Sequence, residues 1–275
     1  LNWILHFGHR FDASAKIIQI DVHPEEIGNN RSVTVPLIGH IPLVVAQVTA
    51  ALASRPLTSH TAFVEELRTK VATNVPRLTS KFTEDSLPMS YHRAFGEIRS
   101  KLPAKEKLVL VSEGANTMDI ARSVFDFDHP RQRLDAGTFA TMGVGLGFAI
   151  AAQLHYPDKR VVAIVGDSAF GFSVMELETA ARARLPLVVV VINNNGIYHG
   201  LDDAEYEDAA KQGRLPSTAL LPDVRYDLFA EAVGGLGKLV RTPEELSQSV
   251  EDALNETLRL TVINCLIKPG GRQKL

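Results

Sequence analysis

From residue 90 onward the chain alternates short apolar runs with helical stretches, and no other feature constrains its fold as tightly. KLVLVSEG (107–114), RVVAIVGD (160–167), LPLVVVVINN (185–194), GKLV (237–240) and LTVINCLI (260–267) are rich in Val, Ile and Leu. Such runs suit a pleated surface and read as strands. They lack the polar alternation of a sheet with one wet face, so both faces must be covered. Helical patterns separate them: 91–102, a helix beginning near Asn116, one ending near His155, then 173–184, 226–233 and 243–258. Strands that alternate with helices lie parallel. The expected fold class is α/β, a parallel sheet with helices on both faces. The segment 200–222 reads as a polar loop, and its acidic part, GLDDAEYEDAAKQG, is either a flap over a site or a solvated surface.

Upstream, residues 1–55 read as the C-terminal part of a second α/β domain. KIIQIDV (16–22) and SVTVPLIG (32–39) are strands, and IPLVVAQVTAALASR (41–55) is a helix with Pro42 in its first turn. Residues 56–89 carry Pro56, Pro76 and Pro88 among Ser, Thr and charged residues. They read as a linker holding one helix over 62–72. The domain organisation expected is therefore 1–55, 56–89 and 90–275. The opening LNWILHFG has no signal-peptide layout and reads as the interior of a longer protein.

Lys and Arg number 29 and Asp and Glu 32, a formal charge of −3. That balance provides no basic footprint for nucleic acid. An anionic ligand would need a metal ion or backbone amides. Cys265 is the single cysteine. It excludes an internal disulfide and a Cys-based zinc site, points to a reducing compartment, and reads as a small core residue. The longest apolar stretch, 141–154, falls short of the roughly 20 residues of a membrane span.

Two strand ends carry the chemistry. RVVAIVGD ends at Gly166-Asp167-Ser168, and VVVVINNNG ends at Asn193-Asn194-Asn195-Gly196. One helix joins the two strands, so both ends reach the same edge of the sheet, where open α/β sheets bind ligands. Asp167 offers a carboxylate, Asn194 an amide oxygen and Gly196 a backbone carbonyl. These hard oxygens with one full charge suit Mg2+, which takes its remaining ligands from phosphate and water. Ser168 and Ala169 open a helix whose N–H groups can face a phosphate. Taken singly, each half is ordinary helix-cap and turn chemistry. Their pairing on adjacent parallel strands favours the metal site, with Asn194 on the metal and Asn193 and Asn195 holding the turn.

The GDS…NNNG pair resembles the diphosphate-binding motif of thiamine diphosphate enzymes. The resemblance implies thiamine diphosphate and Mg2+ as cofactors, with Asp167, Asn194 and Gly196 on the metal. Ser168 replaces the motif's third glycine, a variant of the coenzyme-A-dependent branch that holds the 2-hydroxyacyl-CoA lyases and oxalyl-CoA decarboxylases. SEGANTMDIAR (112–122) looks like that branch's cofactor-facing loop, with Asn116 on the diphosphate. GTFATMGVGLG (137–147) is similar to the segment gripping the aminopyrimidine ring. There Met142 lies under the bent cofactor, and its N–H and the Ala140 carbonyl read the ring edge. Tyr91, Ile197 and Tyr198 fall at further cofactor-contact positions. Bland alternatives stand beside these: Met142 as core, Tyr91 as a packing aromatic, Asn116 as a helix N-cap. His199 is a proton-transfer candidate or, the preferred reading, an exposed loop histidine. The glycines of MGVGLG do not satisfy G-x-G-x-x-G, which argues against a Rossmann dinucleotide site.

The resemblance also implies the activity. The C1–C2 bond of a 2-hydroxyacyl-CoA breaks, giving formyl-CoA and a shortened aldehyde. An oxalyl-CoA decarboxylase and a non-catalytic cofactor-binding or assembly subunit are the alternatives. In this family the glutamate that activates the cofactor sits in an N-terminal pyrimidine domain supplied by a partner subunit. No segment here matches that domain, and Glu113 and Glu176 do not replace it. The partners implied are a CoA thioester, that pyrimidine domain and further copies of the chain in a homo-oligomer, with neither nucleic acid nor membrane. The chain alone is expected to be inactive. Gln273-Lys274-Leu275 resembles the S-K-L peroxisomal address, with Gln273 departing from its small first residue; the alternative is a chance basic tail on a cytoplasmic protein.

Overall fold

A computed structural model describes residues 3–55 and 60–270. The chain forms two compact units, residues 1–70 and 71–275. The first holds two parallel strands, β1 (Ile18–Asp21) and β2 (Val35–Ile38), and the helix α1 (Ile41–Leu52). Both strands and the helix fall where the apolar runs place them. Arg31 fastens the preceding loop, its guanidinium donating to the Gly8 and Phe11 carbonyls at 3.1 Å each. Among the described residues of this unit Val44 is the one buried hydrophobic side chain, and Ile18, Ile38, Ile41 and Leu43 are exposed.

The helix α2 covers Thr61–Ser80, longer than the 62–72 expected, with Pro76 inside its last turns. It has no buried residue, so its length left no apolar periodicity to read.

The second unit is a six-stranded parallel sheet. Its strands are β3 (Leu108–Glu113), β4 (Arg133–Leu134), β5 (Arg160–Gly166), β6 (Val188–Asn193), β7 (Leu236–Val240) and β8 (Thr261–Leu266), in the order β4-β3-β5-β6-β8-β7. The helices are α3 (Tyr91–Lys101), α4 (Ala115–Val124), α5 (Gly145–His155), α6 (Asp167–Ser173), α7 (Glu176–Arg182), α8 (Asp203–Lys211), α9 (Leu228–Ala232) and α10 (Pro243–Asn255). Successive strand residues face opposite sides. Leu110, Ile164, Val190, Ile192 and Ile263 pack with α3, α4 and α10. Val111, Val165, Val189, Val191 and Val262 pack with α5 and α7. Each such side chain contributes about 1.5–3 kcal/mol on burial, which is why these strands are continuous apolar runs.

Two expectations need correction, and one strand was not expected. The polar loop of 200–222 contains α8, closed by a capping box in which Asp202 and Glu205 exchange side-chain and backbone hydrogen bonds. The helix expected over 173–184 begins at Asp167 and breaks into α6 and α7 around Val174 and Met175. The two-residue edge strand β4 was too short to show a pattern.

The order of strands positions the site. From β3 the chain moves outward to β4, then crosses back to β5 on the other side of β3. The helices α4 and α5 accordingly cover opposite faces. A crevice opens at such a reversal, outside the carboxyl ends of the strands.

Candidate functional site

The reversal brings Gly114 beside Gly166. Gly114 has φ +95°, and a Cβ placed on it would stand 3.1 Å from the Gly166 nitrogen. Glycine thus allows the ends of β3 and β5 to touch. Into the cleft formed there project Tyr91, Asn116, Thr117, Met142, Asp167, Ser168, Ala169, Asn194, Gly196, Ile197 and Tyr198, with a free volume of about 20 Å³. Of the residues assigned from the sequence to the metal or the cofactor, Ala140 alone does not line it; Ala140 is exposed, in a left-handed conformation.

Asp167 is the centre. It is 2% exposed. Its Oδ1 accepts the Ser168 N–H at 2.6 Å and its Oδ2 accepts the Gly196 N–H at 3.0 Å. Burial pushes its pKa up to about 7, against backbone N–H groups of Ser168, Gly196, Asn194 and Asn195 that favour the ionised form. No Lys or Arg pairs with it among the described residues. The Ser168 N–H, expected to face a phosphate, donates to this carboxylate.

The β6 turn is built for that contact. Asn193 Oδ1 accepts the Asn195 N–H at 3.2 Å, and Asn195 Oδ1 accepts the Asp223 N–H at 3.1 Å. Both amides therefore hold the turn. Asn195 has φ +64°, a conformation that asparagine tolerates. Gly196 leaves no room for a side chain, because a Cβ would come within 2.7 Å of Gly200 Cα and 2.8 Å of the Thr218 oxygen.

Two amides converge on the Tyr198 carbonyl: Asn194 Nδ2 at 3.2 Å and Asn116 Nδ2. Gly114, not Asn116, occupies the N-cap of α4. Tyr91 is buried and hydrogen-bonds Thr117; burial and the nearby Asp167 raise its pKa. His199 is half-buried rather than exposed, and its Nδ1 has no partner.

Glu113 has a structural task that its position in the sequence did not reveal. Its Oε1 accepts the N–H groups of Gly143 and, at 3.0 Å, Val144; its Oε2 accepts that of Gly145 at 2.8 Å. It thereby caps the start of α5 and holds the backbone next to Met142. Burial raises its pKa despite these three donors.

Among the described residues no three His, Cys, Asp or Glu side chains cluster. A cation here would draw on Asp167 together with amide and carbonyl oxygens. A buried carboxylate lacking a cationic partner, at the edge of an all-oxygen donor set, fits Mg2+.

The matching family model is the thiamine pyrophosphate enzyme, C-terminal TPP binding domain, over residues 113–265. The chain is 42% identical to 2-hydroxyacyl-CoA lyase 1 of Homo sapiens over 286 residues, covering 100% of this chain and 49% of that protein. It is 37% identical to oxalyl-CoA decarboxylase of Escherichia coli (strain K12), covering 98% of this chain and 47% of that protein. The chain spans about half the length of the curated relatives it matches. Its fold matches benzoylformate decarboxylase from Polynucleobacter necessarius with a TM-score of 0.69 at 18% identity, over 94% of this chain and 45% of that one. A parallel sheet whose β3, β5 and β6 ends form one cleft, matched by this model across it, places the chain in the thiamine pyrophosphate enzyme family, of which it carries the C-terminal TPP binding domain.

Proposed function

We propose that the chain is the C-terminal part of a thiamine diphosphate- and Mg2+-dependent carbon–carbon lyase that cleaves 2-hydroxyacyl-CoA to formyl-CoA and an aldehyde. The observation that carries the metal site is the hydrogen bond from the Gly196 N–H to Asp167 Oδ2, which joins the ends of β5 and β6. The Asp167 carboxylate, the Asn194 amide oxygen and the Gly196 carbonyl would hold Mg2+. Asn116, Ser168, Ala169 and Tyr198 would meet the diphosphate, and Tyr91, Ala140, Met142 and Ile197 the rest of the cofactor. Thiamine diphosphate, when bound, supplies the electron sink for breaking a bond beside a carbonyl.

The chain's own residues bind and orient. Ionised Asp167 provides the one full charge for the cation. Asn193 and Asn195 keep Asn194 and Gly196 beside it. Glu113 steadies the backbone carrying Met142. Activation of the cofactor would need a glutamate from the pyrimidine domain of a partner subunit in a homo-oligomer. Peroxisomal location is part of the proposal; Gln273-Lys274-Leu275, which motivates it, lies outside the described residues. No helix among the described residues is long and apolar enough to cross a membrane.

The deciding experiment assays the full-length protein with a 2-hydroxyacyl-CoA and with oxalyl-CoA. Formyl-CoA plus aldehyde from the first supports the proposal. CO2 from oxalyl-CoA alone would make the protein a decarboxylase, the reading that the Escherichia coli relative favours. Silence with both, when a pyrimidine-domain partner is added, would favour a non-catalytic subunit.

A further inference from the structure

Behind the Asn193–Gly196 turn lies a buried polar chain that does not line the cleft. Asn264 stands in the middle of β8, opposite Val191 of β6, and is fully buried. An amide in a central apolar strand is costly unless each of its groups is satisfied. Here each is. Asn264 Nδ2 donates to the Val224 carbonyl at 2.8 Å and to Asp227 Oδ1 at 3.4 Å. Asn264 Oδ1 accepts from Asn193 Nδ2 at 3.2 Å. Asn193 Oδ1 then accepts the Asn195 N–H at 3.2 Å.

Two acceptors set the sense of this chain: Asp227 at its end, and the Val224 carbonyl, which takes Asn264 Nδ2 at 2.8 Å and Asn193 Nδ2 at 3.3 Å. Asp227, ionised, can only accept. Burial pushes its pKa up, but the Arg225 guanidinium, 2.6 Å away, and the Asn264 amide outweigh that and hold it below the usual value. Asn264 must therefore turn its NH2 toward Asp227 and its oxygen toward Asn193. Asn193 must in turn present its NH2 to Asn264, which leaves its oxygen facing the turn. With the opposite sense, the Asn193 NH2 would confront the Asn195 N–H, two donors without an acceptor.

We propose that Asp227, Asn264 and Asn193 form a positioning relay that fixes the orientation of the Asn193 amide and so holds Asn194 and Gly196 at Asp167. The proposal rests on the Mg2+ site above. Neither Asn264 nor Asp227 lines the cleft; both act through Asn193. Residues that orient metal ligands in this way typically change metal affinity by about 10–100-fold when altered.

The test titrates Mn2+, as a paramagnetic substitute for Mg2+, into the full-length protein saturated with thiamine diphosphate. Free Mn2+ is read by electron paramagnetic resonance, and urea midpoints are measured separately without metal. Asn264→Leu removes the acceptor facing Asn193 and should raise the Mn2+ Kd roughly tenfold. If Asn264→Leu does not fold, Asp227→Ala, which frees the far end, should raise the Kd by roughly threefold or more. An unchanged Kd in whichever single variant folds would overturn the relay. Equal Mn2+ uptake by wild type and Asp167→Ala would instead overturn the metal site, and the relay with it.

Discussion

The Gly196 N–H donates to Asp167 Oδ2 at 3.0 Å, joining two strand ends that lie 29 residues apart in the chain. The ends meet because β5 and β6 pair in parallel with Gly166 opposite Ile192. One carboxylate is thereby buried among backbone N–H groups with no Lys or Arg paired to it among the described residues, an arrangement that favours binding over stability.

Asp167→Asn separates these two effects. The neutral amide removes a buried charge but turns its NH2 toward the Ser168 or Gly196 N–H, so without divalent cation the gain and the loss should offset and leave the variant within about 2 kcal/mol of wild type at pH 8. Mg2+ binding in the presence of thiamine diphosphate should fall by more than about 100-fold. Calorimetry and urea unfolding of both proteins check this, and equal Mg2+ affinity would remove Asp167 from the metal site.

The same group produces a pH dependence. Its pKa is about 7 in the folded protein against an ordinary value of 3.8. The folded state therefore holds the proton more tightly than the unfolded state. Without cation, the Asp167 contribution to stability should fall as pH rises from about 4 to about 7, by about 1.4 kcal/mol per pH unit, and then level off. The difference in unfolding free energy between wild type and Asp167→Asn isolates this contribution. A difference that stays flat across the window would contradict the burial argument. Saturating Mg2+ with thiamine diphosphate should offset the loss.

Glu113→Ala tests the cap on α5. The substitution leaves three backbone N–H groups, of Gly143, Val144 and Gly145, without their acceptor. Each such loss costs about 1–3 kcal/mol when water cannot compensate. A destabilisation of roughly 3 kcal/mol or more is expected from urea unfolding. A change below about 0.5 kcal/mol would mean that water replaces the carboxylate.

Cys265 should be chemically silent. It is fully buried in β8, and burial pushes its thiol up to about 12. A disulfide reagent at pH 8 should leave the native protein unlabelled and modify one thiol per chain in denaturant. Rapid labelling of the native protein would show that β8 opens readily.

Legibility followed burial. The strands β3, β5, β6 and β8 could be read because their residues are packed on both faces and therefore apolar throughout. The helices α2 and α8 bury no residue; α2 was legible only over 62–72 and α8 not at all. The one local mark of α8 was Asp202 three positions before Glu205, the spacing of a capping box. At the site, Asp167, Asn194 and Gly196 were legible as a spaced pair of strand ends. Glu113 was not, because its three partners lie 30–32 residues further on, across the sheet end.

The sequence by itself determined the parallel α/β architecture and the edge on which polar groups gather, since both follow from apolar runs and the residues that end them. Tertiary structure alone decided the strand order, the contact of Gly114 with Gly166, and the sense of the Asp227–Asn264–Asn193 chain. The physical reason is the range of the interactions. Propensity and burial pattern act over a few neighbouring residues. A buried hydrogen bond selects its donor and acceptor from whatever the folded sheet places next to it, as β8 places Asn264 against Asn193 from 71 residues away.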